Sequence, residues 1–389
     1  MGHRLLRVYL VTVFLLPVGG CTVYLADSPE IVFLSYNIEN LFDAVDDGNE
    51  YPEFTSIGGW TERDYQRRLQ RLGEAIGSMR PAPDILVFQE VEHQGVLATL
   101  MDEHLVDINA PYRAFARGAL GSIGVGIASR YPIVAARTHT AWTRADSRLR
   151  PILEVELDVA GQQVFLFANH WKSKRGGAAG TEPLRRSAAR LLAARVHELW
   201  LNDPETAIVV AGDFNSTPDE LFVAGNGYPT ALFPAAVMAE IVADSGVDYW
   251  WATDRWKNLR ENVLLAPDGE EAASLAQVLQ RPVLVNMWEH TTQPGSFSFF
   301  GRWEQIDSFF VSPSLMNGAG LDVVSFDVYC LPEGCDSEGR PRSWQDHPRG
   351  ISDHLPLVLR VAPVDSGAPD TRGGQLVDDG LLPALVGRR

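Results

Sequence analysis

Four short apolar runs constrain this chain more than anything else in it, because each stops abruptly at a polar or acidic residue. Ile31 to Tyr36 leads into Asn37 and Glu39, and Ile85 to Phe88 into Gln89-Glu90. Val164 to Ala168 leads into Asn169-His170, and Ile208 to Ala211 into Gly212-Asp213-Phe214-Asn215. Unbroken apolar runs of this length read as strands buried on both faces. A fifth apolar stretch, Ile306 to Val311, carries Asp307 at its start, and Ile351 precedes Ser352-Asp353-His354-Leu355-Pro356. Polar groups gathered at strand ends, far apart in sequence, describe one site assembled at one edge of a sheet.

Between these runs the pattern turns helical. Trp60 to Met79 is amphipathic and ends before Pro81, Val96 to Leu105 is a shorter helix, and Glu182 to Leu201 is a long one rich in Ala, Leu and Arg. Gly124 to Ser129, Ile152 to Leu157 and Leu355 to Val361 complete the expected strands. Strands and helices interleave, but too unevenly for a plain doubly wound sheet. Residues 220–300 give no clear pattern.

The two ends of the chain differ from the rest. Arg4 and Arg7 precede an apolar stretch from Val8 to Leu16, then Pro17-Val18-Gly19-Gly20-Cys21. The stretch is too short to span a membrane and fits a secretory signal over residues 1–20. The small residues before Cys21 resemble a bacterial lipoprotein processing site. That makes Cys21 the expected lipidation site and membrane anchor, with ordinary secretion as the alternative. Residues 21–30 read as a linker, 31–362 as the catalytic domain, and 363–389, rich in Gly, Asp and Pro, as a mobile tail. Export permits a disulfide, and Cys330 and Cys335 can pair across the turn-like Leu331-Pro332-Glu333-Gly334.

Charge limits the partners. The chain carries −17, and residues 1–20 hold two Arg and no acid, so the remainder carries −19. Loose binding to nucleic acid through charge alone needs the opposite sign. An enzyme that uses a cation and a local basic patch is not excluded. Such a patch follows His170: Lys172, Lys174, Arg175, Arg185, Arg186, Arg190 and Arg195 stand against a single acid, Glu182. The functional reading is a phosphate-binding lip, with Lys172 and Lys174 the best placed; a solvated helix face is the plain reading for the arginines. Arg130, Arg148 and Arg150 could also meet phosphate. Tyr249, Trp250, Trp251 and Trp256 read as core before a stacking platform. Glycines 118, 121, 124 and 126 match neither a dinucleotide fingerprint nor a phosphate loop. No nucleophile elbow is present.

The polar residues at the strand ends are oxygen donors with few histidines, a set that suits Mg²⁺, Mn²⁺ or Ca²⁺ rather than zinc. In their order along the chain they resemble the endonuclease/exonuclease/phosphatase family, over roughly Ile31 to Arg360. The resemblance implies a four-layer α/β sandwich, with two mixed β-sheets packed face to face and helices outside. It implies Glu90 as principal metal ligand with Asn37, Glu39 and Asp353 near the ion, and Mg²⁺ or Mn²⁺ as cofactor. Asp213 and Asn215 would orient water and phosphate, Asp307 would hold His354, and His170 would face the phosphate from the other side. Lys172, Lys174 and Arg150 would contact substrate phosphate. The implied activity is phosphoester hydrolysis by a monomer. An exported nuclease is the leading expectation; a phosphatase or phospholipid phosphodiesterase is the alternative.

Overall fold

Each of the four apolar runs forms a strand, and the strands sort into two sheets. A computed structural model describes residues 30–140, 149–223, 225, 228–243, 262–347 and 349–364. The signal segment, Cys21, Arg148, the aromatic set from Tyr249 to Trp256 and the tail beyond Val364 lie outside these residues. The first sheet has six strands in the order β15 (Leu321–Val328), β16 (Leu357–Pro363), β1 (Ile31–Leu41), β2 (Ile85–Val91), β4 (Gly124–Ser129) and β3 (Tyr112–Ala116). The second has eight: β5 (Ile133–His139), β6 (Ile152–Val159), β7 (Gln162–His170), β8 (Ala207–Asp213), β14 (Asp307–Val311), β11 (Leu284–Asn286), β10 (Val263–Ala266) and β9 (Leu232–Pro234). Both are mixed: β1 and β2 are parallel, as are β7 and β8, while their outer neighbours run antiparallel.

Burial explains why the runs are unbroken. Alternate residues of one strand face different layers. Ile31 and Phe33 join Val87, Ile127, Leu166, Val209 and Phe309 in the core between the sheets. Their neighbours Val32, Leu34 and Tyr36 face outward onto Leu69, Leu72 and Ile76 of α1 (Glu62–Gly77) and onto Leu97 of α2 (Gln94–Thr99). Across the molecule, Phe165, Phe167 and Val210 pack on Leu192 and Val196 of α3 (Ala178–Asn202). Helix, sheet, sheet, helix is the four-layer sandwich implied by the family resemblance. α1 begins with a capping box from Thr61 and Asp64.

The element limits move by a few residues. β7 and β8 run on to His170 and Asp213, and β16 runs two residues past Val361. Residues 220–300 hold α4 (Glu220–Val223), α5 (Ala235–Ala243), α6 (Gly269–Leu279), three short strands of the second sheet and the start of a hairpin, β12 (Phe297–Phe299) with β13 (Arg302–Glu304).

Candidate active site

β1 and β2 would continue in register if the ladder were regular. Instead the pairing jumps from Asn37 opposite Gln89 to Leu41 opposite Val91. Glu39, Asn40 and Glu90 take up the difference with positive φ, at 51°, 57° and 67°. Side chains rarely adopt that region, and a bulge beside a cleft is a known way to re-aim them. The second sheet supplies a row of three: the register sets His170 beside Asp213 and Asp213 beside Asp307. The ends of β1, β2, β7 and β8 and the start of β14 thus meet between the sheets.

The meeting is direct. Asn37 Nδ2 lies 3.1 Å from Asp213 Oδ2, 3.3 Å from Glu90 Oε1 and 3.5 Å from His354 Nε2. His170 Nε2 is 3.5 Å from Asp213 and 3.6 Å from Glu90. His354 Nδ1 is 2.7 Å from Asp307 Oδ2, which also accepts from Ser296 Oγ at 2.6 Å. Asp213 Oδ1 accepts the Asn215 N–H at 2.8 Å, and Asn215 Nδ2 donates to the Trp171 carbonyl. Asp353, the most open of the acids, lies 3.8 Å from His354 Nε2. Asn37, Glu90, His170, Asp213, Asn215, Asp307, Asp353 and His354 therefore come together as the sequence implied.

The electrostatics divide the two histidines. His170 is fully buried, and loss of water, Arg150 and His354 keep it neutral well below its ordinary value. His354 is buried too, which by itself would lower it, but Asp307 and Asp353 outweigh burial and hold the ring protonated. The carboxylates move the other way. Burial and then Asp307 push Asp213 up to about 7. Burial and Asp353 raise Glu90, and the same two causes push Glu39 up to about 7. More negative charge is gathered here than His354 and Arg150 offset. An oxygen-rich pocket with a charge deficit of this sign fits a hard divalent cation.

Two other acid and histidine groupings serve differently. Asp213, Asp307 and His354 lie close enough to share an ion, but Asp307 Oδ2 is already committed to His354 and Ser296. In the grouping of Asp43, Glu92 and His93, His93 Nδ1 accepts the Gly95 and Val96 N–H groups and caps α2, while Nε2 faces Asp43 at 3.0 Å.

Three cations of the basic stretch, Arg185, Arg195 and Lys174, are paired with acids of the fold. Arg185 is fully buried, paired with Glu182 and donating to the carbonyls of Ala178 and Lys172. Arg195 pairs with Glu154 and Glu198. Lys174 sits 2.8 Å from Glu220 and 3.6 Å from Glu304, joining α4 to the hairpin. Lys172 is partly exposed beside His170, and Arg150 donates to the Trp171 carbonyl with its charge felt by both Glu90 and His170. Cys330 and Cys335 form a disulfide with Cα atoms 6.0 Å apart.

The sequence missed the hairpin. Phe297 bridges to His354, and its ring lies 4.8 Å from the imidazole. Phe299 stacks on Phe297 at 6.4 Å and meets Phe300 at 4.5 Å, so rings step outward from the histidine to a tip where Phe300 is 91% exposed. Phe297-Ser298-Phe299 and Arg302-Trp303-Glu304 each alternate apolar and polar residues on either side of Phe300-Gly301, which is the signal that marks such a hairpin.

Two facing mixed sheets with a histidine and acid pocket at their strand ends define a phosphoesterase fold of the DNase I-like type. Residues 32–225 match the model of the Endonuclease/Exonuclease/phosphatase family. No curated protein sequence matches the chain. Among solved structures, TDP2 from Caenorhabditis elegans is 15% identical, with 86% of this chain and 74% of that one covered and a TM-score of 0.50. A truncated form of the same protein gives the same identity, TM-score and share of this chain, with 98% of its own length covered. An endonuclease/exonuclease/phosphatase from Bacteroides vulgatus is 16% identical over 86% of this chain and 99% of that one, at a TM-score of 0.48. At these identities the likeness to the nematode protein is one of fold.

Proposed function

We propose that the chain is a divalent-metal-dependent phosphodiester hydrolase whose substrate is DNA or RNA. The observation that carries this reading is geometric: Asn37, Glu90, His170, Asp213, Asp307 and His354 meet within hydrogen-bond or ion-pair distance in one pocket. Glu90, Asp353 and the amide oxygen of Asn37 would hold Mg²⁺ or Mn²⁺, with Ca²⁺ a weaker fit. When bound, such a cation offsets charge on the phosphoryl oxygens. The side chains supply the rest. His354, kept charged by Asp307, donates a strong hydrogen bond to a phosphate oxygen. Asp213, near neutrality in its affinity for protons, is matched to taking one from the attacking water. Asn215 holds Asp213 and the Trp171 segment in place. Neutral His170 completes the far wall, and Arg150 adds positive charge toward the phosphate.

Nucleic acid is favoured over a small phosphate ester by the aromatic hairpin. Phe299 and Phe300 offer flat apolar faces to solvent at the outer end of a ring series that begins with Phe297 against His354, with Arg302 on the following strand. Bases stack on such rings, and a nearby cation suits their phosphates. The N-terminal pattern supports export with an anchor at Cys21. Cys21→Ala should release the protein from membranes; an unchanged membrane fraction would rule the anchor out.

The test of activity is a panel. The purified chain is incubated with supercoiled DNA, RNA, phospholipid vesicles and inositol phosphates, each with Mg²⁺, Mn²⁺ or Ca²⁺. Cleavage of DNA or RNA that stops in EDTA is expected. Phosphate or headgroup release with intact nucleic acid would overturn the substrate assignment.

A further inference from the structure

Glu39 follows Asn37 by two residues and carries the same expectation, a place beside the cation. Its surroundings suggest another task. Both carboxylate oxygens are committed: Oε1 accepts from Ser343 Oγ at 2.5 Å, and Oε2 accepts the backbone N–H groups of Trp344 at 3.1 Å and Asp353 at 3.0 Å. Its own carbonyl accepts from Trp344 Nε1 at 2.6 Å. One residue of β1 is thus bonded to both ends of the segment 343–353, which delivers Asp353 and His354 to the pocket.

The segment is tied from below as well. The Trp344 ring packs against Phe54 and Trp60, with centroids 6.1 and 5.6 Å away. The buried guanidinium of Arg68 lies over the Trp344 ring at 4.9 Å and donates to the Ile38 carbonyl. Its charge is felt at Glu39. At the far end, Ser352 Oγ donates to the Asn37 carbonyl at 2.7 Å and accepts the His354 N–H at 3.1 Å. The positive φ of Glu39 and Asn40 now has a reason: the bulge turns Glu39 out of the strand toward three donors of a returning loop. Strain of this kind persists where surrounding bonds over-determine it.

We propose that Glu39 is a positioning residue: it acts through Asp353 and His354, fastening their loop, and is not a ligand of the cation. The proposal rests on the hydrolytic reading for its kinetic consequence, but its mechanical consequence stands apart from that reading. A fastened loop resists proteolysis, because cleavage needs local opening. Arg342-Ser343 and Arg349-Gly350 put trypsin sites at the edge of the segment and within it, and Arg349 is well exposed.

The full chain is compared with Glu39→Gln, Ser343→Ala and Glu90→Gln. Glu39→Gln sets an amide N–H₂ against donors, and Ser343→Ala removes one bond from the surface side, so the second variant decides if the first fails to fold. Mn²⁺ affinity by calorimetry, thermal midpoint, and the rate of tryptic cleavage after Arg342 and Arg349 are read for each. Expected for Glu39→Gln is Mn²⁺ binding within about twofold of wild type and cleavage faster by about tenfold, from loss of a charge-assisted bond at an unchanged global midpoint. Ser343→Ala should move cleavage in the same direction by a few-fold. Turnover on DNA should fall by about tenfold or more in kcat at constant KM, as positioning requires. Loss of Mn²⁺ affinity in Glu39→Gln matching that of Glu90→Gln would overturn the proposal, as would unchanged cleavage in both loop variants. A wild-type chain inert on DNA would count against the hydrolytic reading alone, and the cleavage and Mn²⁺ measurements would still decide the role of Glu39.

Discussion

Glu154 and Asp213 are both buried acids on neighbouring parts of the second sheet, yet they hold their protons in opposite ways. Burial alone would raise Glu154, but hydrogen bonds from His139 and Arg195, with their charges, bring it to about 2. Arg137 adds a further partner at 2.9 Å. Asp213 has Asn37 and Asn215 as donors, Asp307 as a neighbour, and stands near 7. The first carboxylate is balanced within the fold and ties β6 to α3. The second keeps a raised value because burial and Asp307 outweigh the opposing charge of His354. A buried acid marks function by what fails to neutralise it rather than by burial itself.

The comparison can be broken by substitution. The largest effect is expected at the deficit side: His354→Ala should lower kcat on DNA by about 10³-fold, read by plasmid nicking, as loss of a charged donor to phosphate implies. Asp213→Asn should abolish turnover similarly while leaving stability in EDTA unchanged or raised by about 1 kcal/mol, since it removes a destabilised charge. Glu154→Ala should do the reverse. It strands Arg195 and Arg137 and should cost about 3 kcal/mol in urea unfolding, with kcat kept. Loss of activity in a folded Glu154→Ala chain would erase the distinction.

Acidity sharpens it next. In EDTA, Asp213 binds its proton near pH 7 when folded and near 4 when unfolded. The folded state therefore gains stability as pH falls between those values, and Asp213→Asn should remove that gain. Glu154 runs oppositely: its folded value is depressed, so its contribution is present above the ordinary carboxylate range and is lost as pH falls through about 2. Urea midpoints across pH for the two variants should slope in opposite senses. The smallest effect is expected outside the pocket, where Phe300→Ser should raise KM for single-stranded DNA about fivefold and leave kcat alone, the scale of one lost stacking contact. An equal loss on inositol phosphate would remove the hairpin from substrate binding.

The sequence carried the fold's centre better than its margins, for physical reasons. Strands such as Ile85 to Phe88 are covered on both faces, so their apolar runs are unbroken and legible. β5, an edge of the eight-stranded sheet, mixes exposed and half-buried residues in Ile133–His139, and β15, an edge of the six-stranded sheet, mixes buried, half-buried and exposed ones, so neither stands out. At the site, residue types at strand ends were readable because the chemistry needs them there. Partners across the fold were not. Nothing local to Arg195 announces Glu154, 41 residues away, and nothing near Glu39 announces Ser343, 304 residues away. Arg195 is taken out of the basic lip for the first reason, and the ligand role foreseen for Glu39 is replaced by a proposed fastening role for the second.

The central claim is that the carboxylates without a counter-charge form a cation site. Thermal unfolding with and without Mn²⁺ tests it most directly. A ligand that binds the folded state alone raises the midpoint with concentration. The wild-type chain and Glu154→Gln should both gain thermal stability on adding Mn²⁺, and Glu90→Gln should gain none. An equal gain in Glu90→Gln, or no gain in the wild-type chain, would contradict the account.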